Sequence, residues 1–110
     1  DLRTLVPPDM EAVMASVERS GRLLVAAEDR VFAGFGREIQ GAVVSERPGT
    51  PSRVVGMKPV PGIAQNHDLE LATTLDRSDI IDACTALAAT RPGVGTECTV
   101  AWLPPAYMLA

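Results

Sequence analysis

This sequence predicts an α/β fold built on a small parallel sheet, on three observations. Residues 23–27, Leu-Leu-Val-Ala-Ala, are an apolar run of strand length with no polar alternation, as in a strand covered on both faces. Apolar residues recur at helical spacing on either side of that run, at Met10, Val13, Met14 and Val17 and again at Phe35, Ile39, Ala42 and Val43. Strand-like and helix-like stretches then alternate along the chain, an order that gives parallel strands joined by right-handed crossovers.

Residues 2–6 alternate briefly before Pro7-Pro8 and are expected to be the end of a strand. Asp9 suits an N-cap, because its carboxylate can accept a hydrogen bond from an amide of the first helical turn. Gly21 supplies a left-handed stop after the first helix. Residues 22–27 form the covered strand, and a second helix runs from Gly34 to about Val44. Residues 46–51 (Glu-Arg-Pro-Gly-Thr-Pro) are a turn-rich linker, followed by a short strand over 52–55 that Gly56 stops. Residues 57–76 are the least regular, interrupted by Pro59, Pro61 and Gly62. Asp76 or Ser78 caps a last helix whose expected apolar face is Ile80, Ile81, Cys84, Leu87 and Ala88, with Pro92-Gly93 ending it.

Composition narrows the function classes. At 110 residues the chain is one small domain, and 46% apolar residues suffice for one core. A net charge of −4 and a pI near 4.8 argue against nucleic acid, since the single lysine and nine scattered arginines make no basic stripe. No apolar run reaches the ~20 residues of a membrane span, and the N-terminus lacks signal-peptide regions. Two cysteines, Cys84 and Cys98, without a CxxC pairing point to reduced thiols and a cytoplasmic setting. The bias toward Ala, Arg, Gly, Pro and Val suggests a bacterial gene rich in G and C.

Few residues invite a chemical reading. Gly34-Phe35-Gly36 begins like a dinucleotide fingerprint, but Ile39 stands where the third glycine belongs, so tight helix entry is the better reading. Glu28 and Asp29 follow the covered strand, at the edge where α/β ligand sites gather. They can hold a metal, or Glu28 can pair with Arg30 or Arg37 or accept helix-start amides, as structural carboxylates do. His67, the only histidine, lies near Asp68 and Glu70 and could be an oriented base. No Ser or Cys nucleophile pattern accompanies it, so an exposed loop histidine or a turn cap is expected. Met10 and Met14 read as core, Cys84 as a small buried hydrophobe and Cys98 as an exposed thiol. Trp102, Leu103, Tyr107, Met108 and Leu109 give the tail an apolar surface. Either it meets a partner, with Trp102 and Tyr107 as interface candidates, or it folds back over a sheet edge.

Three stretches taken together carry a family resemblance. They are Asp1-Leu-Arg-Thr-Leu-Val-Pro-Pro-Asp9, Ser16 to Glu28 with Ser20-Gly-Arg-Leu-Leu-Val-Ala-Ala-Glu28, and Gly34-Phe-Gly-Arg-Glu-Ile39. Val60-Pro61, Leu69-Glu70 and Asp79-Ile80-Ile81 follow in the same order. The combination resembles the C-terminal domain of the transketolase-like enzymes, nearest to the beta subunit of thiamine-diphosphate-dependent 2-oxoacid dehydrogenases of pyruvate, branched-chain or acetoin type.

The resemblance implies a three-layer sandwich with a small, mostly parallel sheet over 1–90, lacking the family's first strand and helix, and a divergent tail over 91–110. Because the chain starts inside the pattern without an initiator Met, it reads as a fragment, and an open sheet edge would favour self-association or marginal stability. It further implies a structural and docking role. The partners would be an alpha subunit, a second beta subunit and the subunit-binding domain of a lipoyl acyltransferase. Thiamine diphosphate and Mg would belong to the parent enzyme, with no catalytic, cofactor or metal residue in this chain. The alternatives are a stand-alone binding or regulatory module of the same fold, or the equivalent domain of a transketolase or deoxyxylulose-phosphate synthase. The segment Pro61-Gly-Ile-Ala-Gln-Asn-His67 departs from the Pro-Tyr type of the pyruvate and branched-chain members and leaves the 2-oxoacid open.

Overall fold

A computed structural model describes residues 1–60, 66–90 and 99–103. The elements run α1 (Met10–Ser20), β1 (Leu23–Arg30), α2 (Phe35–Glu46), β2 (Ser52–Met57), α3 (His67–Thr73), α4 (Arg77–Ala89) and β3 (Thr99–Leu103). The three strands are parallel in the order β2-β1-β3.

β1 is the centre of the molecule, and its alternation sorts the helices into layers. Leu23, Val25 and Ala27 pack with Val13 and Val17 of α1 and Ile39 and Val43 of α2. Leu24 packs on the other face with Ala83 and Leu87 of α4. The result is a three-layer sandwich with α1 and α2 on one face and α4 on the other. The β1-to-β2 crossover runs one way over the first face, and the β2-to-β3 crossover runs back over the second. Reversing both direction and face conserves hand, so the two crossovers share one hand, as the right-handed rule requires.

Helix α1 forms as expected: the Asp9 carboxylate accepts from the Ala12 amide at 3.0 Å, and Gly21, at φ 70°, donates its N–H to the Val17 carbonyl. Met10 and Met14 pack against the core and Cys84 against the second cluster, also as expected. Arg22 is 3% exposed and reaches the Ala88 carbonyl at 3.5 Å, placing a cation at the negative end of α4.

Five expectations need correction. Residues 2–6 are not a strand: Leu2 is buried, and its amide donates to the Trp102 carbonyl of β3 at 3.3 Å. β1 runs to Arg30 rather than ending at Ala27. Between the pairs Ala26–Val55 and Arg30–Met57 it carries two more residues than β2, a bulge that resumes pairing further on. Gly56 lies inside β2 rather than ending it, because the bulge lays the Asp29 carbonyl only 2.4 Å from where a Cβ would sit. Residues 67–73 form α3, started by the Asn66 side chain accepting from the Leu69 amide at 2.9 Å. In α4 the buried or half-buried stripe is Ile80, Ala83, Cys84 and Leu87, whereas Ile81 is half exposed and Ala88 exposed.

The tail is the largest addition. Residues 99–103 return to the sheet as β3 and pair with β1 from Leu23–Thr99 to Ala27–Leu103. This is the fold-back alternative for that part of the tail. β1 is therefore flanked on both sides, and the outer strands of the described sheet are β2 and β3.

At the start of α4, Asp76 accepts from the Ser78 hydroxyl and amide, both at 2.5 Å, and from the Asp79 amide at 3.2 Å. The Asp79 carboxylate accepts the Asp76 amide in return at 3.0 Å. These donors, the Ser78 hydroxyl foremost, hold the Asp76 carboxyl below its ordinary value of 3.8. A folded value below the unfolded one means that the contribution is complete above the ordinary carboxylate range. It is lost as pH falls below 3.8 through the folded value. Asp76→Ala should lower the melting temperature at neutral pH by a few degrees. Melts repeated at falling pH should show the two proteins converging below that value, and a constant gap would contradict this account.

Candidate functional site

β1 and β2 are neighbours whose following connections leave for opposite faces, to α2 on one side and toward α4 on the other. Such a switch point opens a crevice beyond the carboxyl ends of the strands. Here the crevice is a cleft of about 760 Å³, within the range of small-molecule sites. Arg30, Phe32, Ala33, Arg37, Met57 and Val60 are among its walls.

Local sequence shapes this cleft. The segment Val31-Phe32-Ala33 follows the bulged end of β1, and Phe32 is left 89% exposed. Ala33 sits at φ 55°, a left-handed conformation that a non-glycine residue adopts only when its surroundings enforce it. Gly34 then opens α2 as its N-cap. A Cβ at Gly34 would fall 1.8 Å from the Arg30 carbonyl oxygen, so the chain can turn from β1 into α2 here only with glycine. Gly36 is buried in the first turn. Both observations favour tight helix entry over a dinucleotide fingerprint. Arg37 is braced: its Nη1 donates to Gln40 Oε1 at 2.8 Å, and Gln40 Nε2 donates to Ser52 Oγ at 2.9 Å.

The residues singled out from sequence are dispersed. Glu28 is half-buried near the end of β1, and neither ion pair found among the described residues, Arg3–Asp1 or Arg47–Glu18, involves it. Asp29 is exposed; its Oδ1 accepts the Arg30 amide at 2.7 Å, and its Oδ2 lies 3.1 Å from the Cβ position of Gly34. No group of three or more His, Cys, Asp or Glu side chains able to hold a metal occurs among the described residues. His67 is exposed as expected, but it opens α3 instead of lying in a loop, and Asn66 caps that helix. Glu70 bonds the Thr73 and Thr74 hydroxyls through its carbonyl. Trp102 is half-buried in β3, paired with Ala26, while Tyr107 and Cys98 lie outside the described residues.

Sequence reading missed Phe32, Met57 and Val60 as walls of one cleft and treated Arg30 and Arg37 only as partners for Glu28. A usable signal was present: an apolar tripeptide between a strand end and a helix-opening glycine, flanked by arginines.

Comparison with known proteins gives this geometry a family. The pattern of the transketolase C-terminal domain matches residues 1–80. The pyruvate dehydrogenase E1 component subunit beta of Rickettsia conorii is 35% identical over 86 residues, covering 76% of this chain and 26% of that protein. The mitochondrial 2-oxoisovalerate dehydrogenase subunit beta 2 of Arabidopsis thaliana is 50% identical over 44 residues, 40% of this chain and 12% of its own length. In Pseudomonas aeruginosa, the 2-oxoisovalerate dehydrogenase subunit beta is 44% identical over 43 residues, 39% of this chain and 12% of its own length. The chain thus spans about a quarter or less of these curated relatives. No solved structure matches it. The matched segment contains the Asp9 cap, the Gly21 stop, the covered strand β1 and the Gly34 turn, and on these grounds the chain belongs to the transketolase C-terminal domain family.

Proposed function

We propose that this chain serves as the structural and docking domain of a thiamine-diphosphate-dependent 2-oxoacid dehydrogenase beta subunit. The parent enzyme decarboxylates a 2-oxoacid in the cytoplasm and passes the acyl group to a lipoyl carrier. This domain supports assembly with an alpha subunit and a second beta subunit, and receives the subunit-binding domain of the acyltransferase. The family implies thiamine diphosphate and magnesium in the parent. The described residues do not fit the metal: they offer no set of donor side chains, and those in the cleft wall include arginines and no carboxylate. No catalytic step is therefore assigned to this chain.

The observation that carries the docking role is exposed apolar surface. Leu69 and Leu71 on α3 are 53% and 62% exposed, and Ile81 on α4 is 50% exposed. Large aliphatic side chains left in water in so small a domain support a partner surface.

Calorimetric titration of the chain with the subunit-binding domain of a lipoyl acyltransferase should give saturable binding. The double variant Leu69→Asp, Leu71→Asp should weaken it at least about tenfold, roughly 1.4 kcal/mol. Mixed with purified alpha subunit, the chain should show no thiamine-dependent decarboxylation. Turnover by that mixture would refute the non-catalytic role, and absence of binding to both partners would refute docking.

A further inference from the structure

We propose that the cleft at the β1–β2 switch point binds a small organic anion with an apolar body, Arg30 and Arg37 receiving the anionic group and Phe32, Met57 and Val60 covering the rest. The proposal stands on the cleft itself and does not depend on the parent enzyme's chemistry.

Charge is the first argument. The chain carries a net −4, yet the described residues of this cleft's wall include two arginines and neither Asp nor Glu. The nearby carboxylate of Asp29 is turned to its own backbone, with Oδ1 accepting the Arg30 amide. Arg30 takes part in neither ion pair found among the described residues. Arg37 donates to the amide oxygen of Gln40, a neutral acceptor that orients the guanidinium, and it too takes part in neither ion pair among the described residues. Gln40 is tied in turn to Ser52, so one cation is already held in place and less side-chain freedom is lost when an anion arrives.

Shape is the second. Phe32 is 89% exposed and Val60 41%, on loops that follow different strands, so an apolar body between them would be covered from two sides. The left-handed Ala33 holds that phenyl ring on the βα loop at a cost in backbone strain, and strained loop residues gather at ligand sites. A guanidinium pair beside a phenyl ring and aliphatic walls is the chemistry that recognises an aryl or alkyl carboxylate or sulfonate, and it is poorly suited to a cation or to a bare apolar molecule.

The test uses the full chain and 8-anilinonaphthalene-1-sulfonate, followed by amide chemical shifts. Binding should saturate, with shifts concentrated at residues 30–37 and 57–60, and should weaken as salt rises. The double variant Arg30→Gln, Arg37→Gln, shown to be folded by an unchanged melt, should bind at least tenfold more weakly. Phe32→Ala should also weaken binding while leaving the salt dependence in place. The uncharged N-phenyl-1-naphthylamine should bind more weakly than the sulfonate, and the arginine substitutions should leave that weak binding unchanged. The proposal is overturned by shifts spread through the α1–α2 core, by an affinity indifferent to both arginines, or by no saturable binding.

Discussion

Replacing Gly34 by alanine should destabilise the protein by at least about 3 kcal/mol, because the added Cβ would lie 1.8 Å from the backbone oxygen of Arg30. No side chain can swing aside to relieve that overlap; the βα turn itself has to move. For a domain of this size the loss corresponds to a fall in melting temperature of at least about 12 °C, read by circular dichroism. Gly41 provides the control. It lies within α2 with nothing within 4 Å of its Cβ position, so Gly41→Ala should instead raise stability by roughly 0.5–1 kcal/mol. If both variants moved the melt in the same direction, crowding at Gly34 would not be the reason for its glycine.

The second large effect is expected at Leu24. It is fully buried, and it is the β1 side chain in the cluster with Ala83 and Leu87 that holds α4 to the sheet. Leu24→Ala removes that contact and leaves a cavity between sheet and helix, so about 2–5 kcal/mol should be lost in denaturant titration. Leu71→Ala, at a leucine 62% exposed, should change stability by no more than about 0.5 kcal/mol. A Leu24 variant as stable as the Leu71 variant would mean that α4 is held by something other than this cluster.

The parts of the fold legible in sequence were those decided locally. Asp9, Gly21, the unbroken run at 23–27 and the helical spacing of Phe35, Ile39 and Val43 each act through a few neighbouring residues, and α1, the core of β1 and α2 follow from them. Gly56 misled because its role is set by a carbonyl of another strand: a glycine required by close approach looks in sequence like a glycine that ends an element. α3 escaped because Leu69 and Leu71, two positions apart, make no helical stripe, and the signal for it was the Asn66 cap. The cleft was half legible. The carboxyl edge of β1 was the right place, but the carboxylates drew attention there, whereas the wall is formed by Arg30, Arg37 and an exposed Phe32. Only the strand order, which sequence did not supply, brings Met57 and Val60 opposite them.

That strand order also sets a timetable for biosynthesis. β1 and β2 leave the ribosome close together, but the strand on the other side of β1 begins only at Thr99, after α3 and α4 have been made. At roughly 5–20 residues per second the interval from Met57 to Thr99 lasts a few seconds. For that time the most buried strand of the finished protein has one row of amides and carbonyls without its partner. A nascent chain stalled before residue 99 should therefore present β1 to chaperones, and emergence of Thr99–Leu103 should end that exposure in one step.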